Sequence, residues 1–562
     1  MRTSRRDAGL GAVAGVLAAG TALGVGQFVA GLTGANGSPV VAVGELQIDF
    51  TPPWLKNFAI SKFGADDKLV LVSGILVVLA IFAAVIGAAA TRRMAYGMAG
   101  LGVFAVVGLT AAATRPTATF ASLLPTLAAT AAAVAVLRLL IPLASPAAPA
   151  PRRTVTFDPV TAKDPVLAED PAAAADSADP AVAADPAADP AAREPQEPGE
   201  VEPGGGYRPP RRSFLAAGVA TAGIAAGAGL AGRLLAERSS VASAQRSLRI
   251  PKPAGVTPTL PSGVSFDVPG LSPFVTSNNS FYRVDTALVL PQVDPSSWQL
   301  RIHGMVNREI TLTFDELLKR PLIEDYVTLC CVSNPVGGPY IGNAKWLGAS
   351  LAAVLREAGI KAGADQLMCT SVDGFTSGTP VQTVLDGRDA LLAVAMNGQP
   401  LPIAHGFPAR MVVPGLYGYV SATKWVTDIN VTTFAGNYAY WAQRGWSQQA
   451  PIKTECRIDV PNGTNNVGGG TTAVAGVAWA QHKGIEAVHV RVDSGPWNEA
   501  RLAAVPGIDC WRQWVWEWDA APGQHVLEAR ATDKTGYTQT GVQAQPEPNG
   551  ASGYPSVSVT VS

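Results

Sequence analysis

VTLCCVSNPVGG, Val327 to Gly338, sets two cysteines side by side in a chain of 562 residues that has only five. Adjacent cysteines do not readily pair with each other, because a disulfide needs Cβ atoms presented by separate backbone segments. The run before them, Asp325 to Cys331, reads as a strand, and VSNPVGG after them is made of loop formers. Strand alternation points Cys330 and Cys331 to opposite faces, so only one of them serves a given site. A thiol at a strand end facing a glycine-bearing loop has three readings: an open-site metal ligand, a nucleophile, or a buried core cysteine. As a thiolate it is a soft ligand, suited to a metal held with sulfur.

Outward from this stretch the pattern is mixed. WQLRIH, Trp298 to His303, alternates like a strand. TFDELLK, Thr313 to Lys319, carries a Thr followed three residues later by Glu, a helix-start signature. Leu347 to Ala358 reads as an amphipathic helix stopped by Gly359. Residues 250–450 are therefore expected to form an α+β domain. After Pro451 short alternating runs recur with turn signals between them: TAVAGVAWA, EAVHVRVD, QWVWEWDA, HVLEARATD and SVSVTVS. This predicts a β-sandwich over residues 451–562. Cys456 and Cys510 lie within it as a candidate disulfide pair for an oxidising compartment.

Residues 1–250 differ in kind. The whole chain is 48% hydrophobic and 15% charged, which points to membrane spans. Apolar runs at Gly9–Leu32, Leu69–Ala90, Met94–Ala113 and Ala118–Leu143 predict a transmembrane bundle over residues 1–143, rich in the Ala and Gly that let helices approach closely in lipid. Residues 144–210 repeat an acidic Ala/Pro theme that cannot bury a core and read as a disordered linker. A fifth span is expected over residues 211–235, opening with Arg211 and Arg212. Arg-Arg-x-Phe-Leu before a weakly apolar run is similar to a twin-arginine export signal.

Arg2, Arg5 and Arg6, then Arg92 and Arg93, Arg138, Arg152 and Arg153, and Arg211 and Arg212 fall on one side if the spans alternate. The N-terminus is then cytoplasmic and everything after about Leu235 lies outside. Arg115 and the lysines at 56, 62 and 68 fall on the outer side.

A net charge of −1 argues against a nucleic-acid partner. The first His is His303 and the first Cys is Cys330. No CxxC, CxxCH or HExxH occurs, which excludes zinc-ribbon, c-type haem and zincin chemistry. The spans also lack the histidines that would hold a b-type haem.

A second chemistry-bearing run is MNGQPLPIAHGFPARMVVPGLYGYVSATKW, Met396 to Trp425. His405, Arg410 and Lys424 surround a Gly/Pro-rich loop. Singly, each reads as a surface charge; together they are the forked donor, switchable donor and point charge that a phosphate dianion asks for.

These segments together carry a resemblance. TLCCVSN resembles the molybdenum-ligand segment of the sulfite oxidase family, with Cys331 in the ligand place. MNGQPLPIAHGFPAR followed by MVVPG resembles that family's pterin-binding segment. SFYRVDTALVLPQVDPSSWQLRIHG, from Ser280, resembles its earlier cofactor segment, and NYAYWAQRGW, from Asn437, its Tyr/Trp element. The resemblance covers about residues 260–562.

It implies a molybdenum-molybdopterin cofactor, oxygen-atom transfer, and an immunoglobulin-like C-terminal sandwich of the dimerisation type. Cys331 is the implied metal ligand. Phe281, Tyr282, Arg283, Val284 and Asp285 fall on the first cofactor segment, Asp373 on the pterin-contacting acid, His405 and Arg410 on the pterin or phosphate contacts, and Ser421, Ala422, Thr423 and Lys424 on the next contact. Arg283 and Tyr438 take the places of the substrate arginine and the active-site tyrosine.

Two departures stand out. Asn334-Pro335-Val336-Gly337-Gly338 replaces arginines that follow the ligand segment, and Val284-Asp285 replaces an Asn-His pair. His482 and Lys483, in the turn AWAQHKG, are candidates to supply the missing positive charge, or are plain exposed turn residues.

The expected function is that of a membrane-anchored extracytoplasmic molybdopterin oxidoreductase, sulfite-oxidase-like. A sulfoxide reductase of the same family is the alternative, and a cofactor-free binding or scaffold ectodomain is the rival of another class. The expected partners are a small anionic or sulfoxide substrate, a separate electron-transfer partner, membrane lipid, and a second copy through the sandwich.

Overall fold

The computed structural model describes residues 5–33, 39–52, 55, 67–115, 118–144, 211–238, 241–255, 258–463 and 467–562. The expected linker, apart from Ala144, lies outside the described residues.

The apolar runs form the helices Arg5–Thr33, Asp67–Ala90, Met94–Ala113, Phe120–Ala144 and Arg211–Arg238. All five are long and apolar enough to cross a membrane by length and composition. Val77, Ile81, Val103 and Val219 face outward on them, an apolar exterior that water disfavours at about 25 cal/mol per Å².

Glycines set the helix spacing. A Cβ added at Gly31 would stand 2.6 Å from the Gly232 carbonyl oxygen, and one at Gly11 2.7 Å from that of Gly87. The backbones touch there, as small residues allow. The register gives the directions. Gly218 faces Leu17, Ala225 faces Gly24 and Gly232 faces Gly31, so the first and fifth of these helices run parallel. Gly87 faces Gly11 and Ala83 faces Gly15, an antiparallel pair; Gly97 with Leu137 and Gly108 with Thr126 make another. Gly97 against Ala90 and Gly100 against Ile86 make a further antiparallel pair, so successive long helices alternate in direction.

One helix was not expected. Pro39–Phe50 is a twelve-residue apolar helix that packs Ala42 against Ala111 and Ala112. Its Glu45 pairs with Arg115 at 3.4 Å, which gives a local counter-charge to an arginine on the expected outer side.

Beyond the helices and a short helix Val241–Ser247 lies the α+β unit. Its strands are β1 (Gln299–Gly304), β2 (Ile310–Thr313), β3 (Leu322–Cys330), β4 (Ile341–Ser350), β5 (Gln366–Ser371), β6 (Thr376–Pro380), β7 (Leu391–Met396), β8 (Gln399–Pro400), β9 (Arg410–Val412) and β10 (Val426–Thr432). One sheet has the order β2-β1-β10-β5-β6, and the other runs β3-β4-β7-β8 with β9 paired to β7. The helix Phe314–Lys319 begins with the expected capping box, Thr313 and Glu316 bonding reciprocally.

The expected helix over Leu347–Ala358 is half strand. Residues up to Ser350 belong to β4, and only Leu351–Ala358 is helical. Trp346, Leu347 and Ala349 are all buried, so the apolar run does not alternate and mimics a helix face. Ser350 supplies the N-cap, accepting from the Ala353 N–H, and Gly359 the left-handed C-cap at φ 71°.

The C-terminal part is two packed four-stranded sheets. With β11 (Glu455–Val460), β12 (Gly470–Trp479), β13 (Ile485–Val492), β14 (Asn498–Glu499), β15 (Arg501–Leu502), β16 (Arg512–Ala520), β17 (Gly523–Asp533) and β18 (Ser556–Val561), the orders are β11-β12-β16-β15 and β14-β13-β17-β18. It docks firmly on the α+β unit. The Thr328 N–H donates to the Asp509 carbonyl at 2.9 Å, and Trp511 donates to that of Phe274 at 2.8 Å. Cys456 and Cys510, the candidate disulfide pair, are both free thiols. Each sits in a different core; Cys456 donates to Gln539 and Cys510 to the Tyr326 carbonyl.

Candidate active site

Cys331 is the first residue after β3. Its N–H donates to the Tyr340 carbonyl at 2.9 Å, and its own carbonyl accepts from the Asn334 N–H at 3.1 Å. The tight turn fixes the thiol, which is 8% exposed, while Cys330 is fully buried in the α+β core. Burial pushes the Cys331 thiol up and hydrogen bonds from Ser333 pull it down. Such a thiol is ionised by a bound cation rather than by water. The Tyr282 phenol is close: burial, then the Cys331 and Cys330 thiols, push it well above its ordinary value.

The basic residues converge from distant parts of the chain. His405 ends a single turn of 3-10 helix, Ile403–His405, and its Nε2 lies 3.0 Å from the Asn278 carbonyl. Gly406, at φ 111°, turns the chain, and an added Cβ there would stand 3.0 Å from Arg410 and 3.1 Å from Lys424. Arg410 is 5% exposed. It donates to the carbonyls of His405 at 3.0 Å and Ala422 at 3.3 Å, lies over Trp346, and has no carboxylate partner among the described residues. Lys424 donates to Asp285 at 2.8 Å.

Burial depresses all three: His405 to about 4, Arg410 to about 10 and Lys424 to about 8. The physical cause is the same in each, desolvation of the charged form, aided at His405 by Arg410. Asp285 opposes it at Lys424 and also pairs with Arg283 Nε at 2.8 Å. One buried carboxylate thus faces more than one cation.

The other expected residues fall as follows. Phe281 is buried, stacked on Tyr282 and edge-on to His405. Val284 is exposed. Asp373 accepts from Thr286 at 3.4 Å, beside the first cofactor segment. Ser421 is spent on the carbonyls of Leu416 and Tyr417, and Thr423 on Ser377. Tyr438 is 51% exposed; its described contact is the carbonyl that accepts from Gln443, and none joins it to Cys331 or Arg283. His482 faces Asp509 and Lys483 faces Asp533, each at 3.5 Å, so their described partners are not the Cys331 cluster.

Two residues near the site were missed. Asn334, in the Cys331 turn, accepts from the Tyr340 N–H at 2.8 Å, while its Nδ2 is buried without a partner among the described residues. Glu455, on β11, is buried, its Oε1 without a partner among the described residues, and burial raises it to about 8. Asn334 follows Cys331 by three residues, a signal within reach; Glu455 lies in the sandwich, more than a hundred residues away, and had none.

A strand-end thiol beside a desolvated, cation-rich cradle, set on this pair of sheets, defines a molybdopterin-binding oxidoreductase. Residues 287–441 match the family model described as oxidoreductase molybdopterin binding domain. The chain is 30% identical over 274 residues to mitochondrial sulfite oxidase of Rattus norvegicus, covering 41% of this chain and 49% of that one. It is 31% identical over 167 residues to an uncharacterized oxidoreductase of Bacillus subtilis (strain 168), YuiH, covering 30% of this chain and 81% of that one. Among solved structures, the sulfane dehydrogenase SoxCD of Paracoccus pantotrophus matches at 24% identity with a TM-score of 0.43, over 48% of this chain and 75% of that one.

The chain belongs to the sulfite oxidase family of molybdopterin-dependent oxidoreductases. It spans about half the length of the curated sulfite oxidases it matches first. The cofactor this family implies is molybdenum-molybdopterin, and the residues fit it. Cys331 offers a soft ligand, and the Arg410–Lys424–His405 cradle holds a surplus of buried positive charge that an anionic phosphate and dithiolate would balance.

Proposed function

We propose that the protein is a membrane-anchored oxidoreductase whose catalytic unit works outside the cytoplasm, transferring an oxygen atom to a small sulfur oxyanion such as sulfite. When bound, the molybdenum-molybdopterin group supplies the two-electron oxygen-atom chemistry. Cys331 holds the metal by its sulfur. Arg410, Lys424 and His405 bind the pterin and its phosphate, with Asp285 and Asp373 orienting the segment that carries Arg283. Tyr282 and Asn334 border the thiol and keep it from bulk water.

The observation that carries the oxyanion reading is Arg283. Among the described residues only its Nε is engaged, by Asp285 at 2.8 Å, and its side chain is 40% exposed. Its terminal nitrogens remain free to make a forked contact with an anion. Tyr438, exposed on its loop, is read as the second group that meets the substrate. Asp285 supports a second reading. Its charge offsets that of Arg283, which favours a neutral sulfoxide, such as a methionine sulfoxide, reduced by the reverse transfer.

The alternating helices and the arginines at one set of ends support anchoring with the N-terminus inside. Arg211 and Arg212 open the last long helix, as a twin-arginine route would require. The two four-stranded sheets are read as an immunoglobulin-like module that pairs two copies. The deciding experiment gives the purified full chain sulfite with an artificial electron acceptor and, separately, methionine sulfoxide with a reduced donor. Turnover of sulfite alone supports the first reading, sulfoxide alone the second, and neither, in protein loaded with molybdenum, rejects both.

A further inference from the structure

Leu288 and Val289 follow Asp285 by three and four residues, and they do not stay with the catalytic unit. Leu288 abuts the unexpected helix Pro39–Phe50: a Cβ added at Gly44 would stand 2.7 Å from its Cδ1. Together they roof a cavity of about 480 Å³ among the helices, lined also by Gln27, Val41, Val72 and Ala225. Its size is in the range of small-molecule sites. Its lining is apolar except for Gln27, the only polar residue around it among the described residues. We propose that this cavity binds a lipid-soluble quinone, which exchanges electrons with the cofactor through the segment that joins Arg283 and Asp285 to Leu288 and Val289.

Three observations select a quinone over a lipid acyl chain. The first is place. Three residues reach at most about 10 Å, so the cavity roof lies within that chain distance of Asp285, which pairs with both Arg283 and Lys424. An acyl chain has no need of that link. The second is chemistry: an apolar lining with a single amide suits a ring with a carbonyl acceptor and an isoprenoid tail. The third is electron count. The first 302 residues contain neither His nor Cys, so no haem or iron–sulfur centre can be ligated there by those side chains, whereas a quinone takes the two electrons itself.

The inference rests on the oxidoreductase reading, and the reaction balances. The sulfur substrate gains an oxygen atom from water and releases two electrons and two protons; the quinone takes both and becomes the quinol. In the sulfoxide direction the quinol gives them back, and the sulfoxide oxygen leaves as water.

The test measures equilibrium binding of decylubiquinone to the full chain in lipid nanodiscs, with and without excess oleate, for the native chain and three variants. Val72→Trp fills the cavity. Gln27→Leu removes the amide. Val77→Trp places the same ring on the outer face of the same helix, where Val77 is 60% exposed. The native chain should bind saturably despite oleate. Val72→Trp should weaken binding by at least about tenfold, Gln27→Leu by about fivefold to tenfold, the worth of a hydrogen bond, and Val77→Trp should not change it.

No saturable binding to the native chain, equal binding by native, Val72→Trp and Gln27→Leu, or full displacement by oleate overturns the proposal. Should Val72→Trp fail to assemble, Gln27→Leu alone decides. Because binding is read without turnover, its failure is distinct from failure of the oxidoreductase reading, which shows as loss of molybdenum and activity.

Discussion

Arg410→Met separates a cofactor-binding role from a structural one. In the folded chain burial lowers the Arg410 guanidinium to about 10, which corresponds to about 3 kcal/mol spent on desolvating the charge. At neutral pH it is protonated in both folded and unfolded chains, so that cost is present in full below about pH 10. Its three carbonyl bonds, to Met411, His405 and Ala422, return about 1 kcal/mol each. In cofactor-free protein these effects nearly offset, and Arg410→Met should change stability by no more than about 1 kcal/mol.

In loaded protein the arginine meets an anion, and removing a charged hydrogen bond costs about 1.5–3 kcal/mol. The assay is urea unfolding of the native and variant chains, each purified from molybdate-replete and molybdate-starved cells, with pterin content measured alongside. The stability gained on loading should shrink by about 1.5–3 kcal/mol in the variant, with the cofactor-free forms almost superimposed. Equal destabilisation of both forms by more than about 2 kcal/mol would show that Arg410 is a packing element and not a cofactor contact.

Glu455, raised from 4.5 to about 8 by burial, binds more protons folded than unfolded, so its contribution is favourable at low pH and is lost as pH rises from about 4.5 to 8. Glu455→Gln should flatten that loss, worth up to about 5 kcal/mol, in unfolding measured at pH 5 and pH 8. Lys424 has the opposite sign of slope. Lowered from 10.5 to about 8, it destabilises cofactor-free protein fully below pH 8, and stability should recover towards pH 10 in the native chain but not in Lys424→Met. Cys330→Ala should cost about 1 kcal/mol of stability and leave molybdenum content unchanged, as measured by unfolding and metal analysis.

Much of the site was legible because its chemistry is local. Cys331 sits where strand pattern gives way to loop formers, and His405, Gly406 and Arg410 lie within six residues of one another. The β13, β17 and β18 runs alternate because one face of each meets a core, whereas β12 ends in six successive buried residues. What was hidden depends on partners far along the chain. Nothing near Asp285 announces Lys424, 139 residues away, nor does Lys483 announce Asp533. The start of the helix at Leu351 was misread because β4 is buried on both faces and its apolar run lacks alternation. The helix Pro39–Phe50 escaped notice because a short run interrupted by Glu45 reads as a loop until Arg115 is seen beside it.

The most direct test of the account is molybdenum X-ray absorption on purified native chain and Cys331→Ala, paired with metal content per chain. The native chain should hold roughly one molybdenum, and whatever metal the variant retains should have one sulfur neighbour fewer, with activity abolished. Native protein loaded with molybdenum but showing the same sulfur count with and without the Cys331 thiol would contradict it.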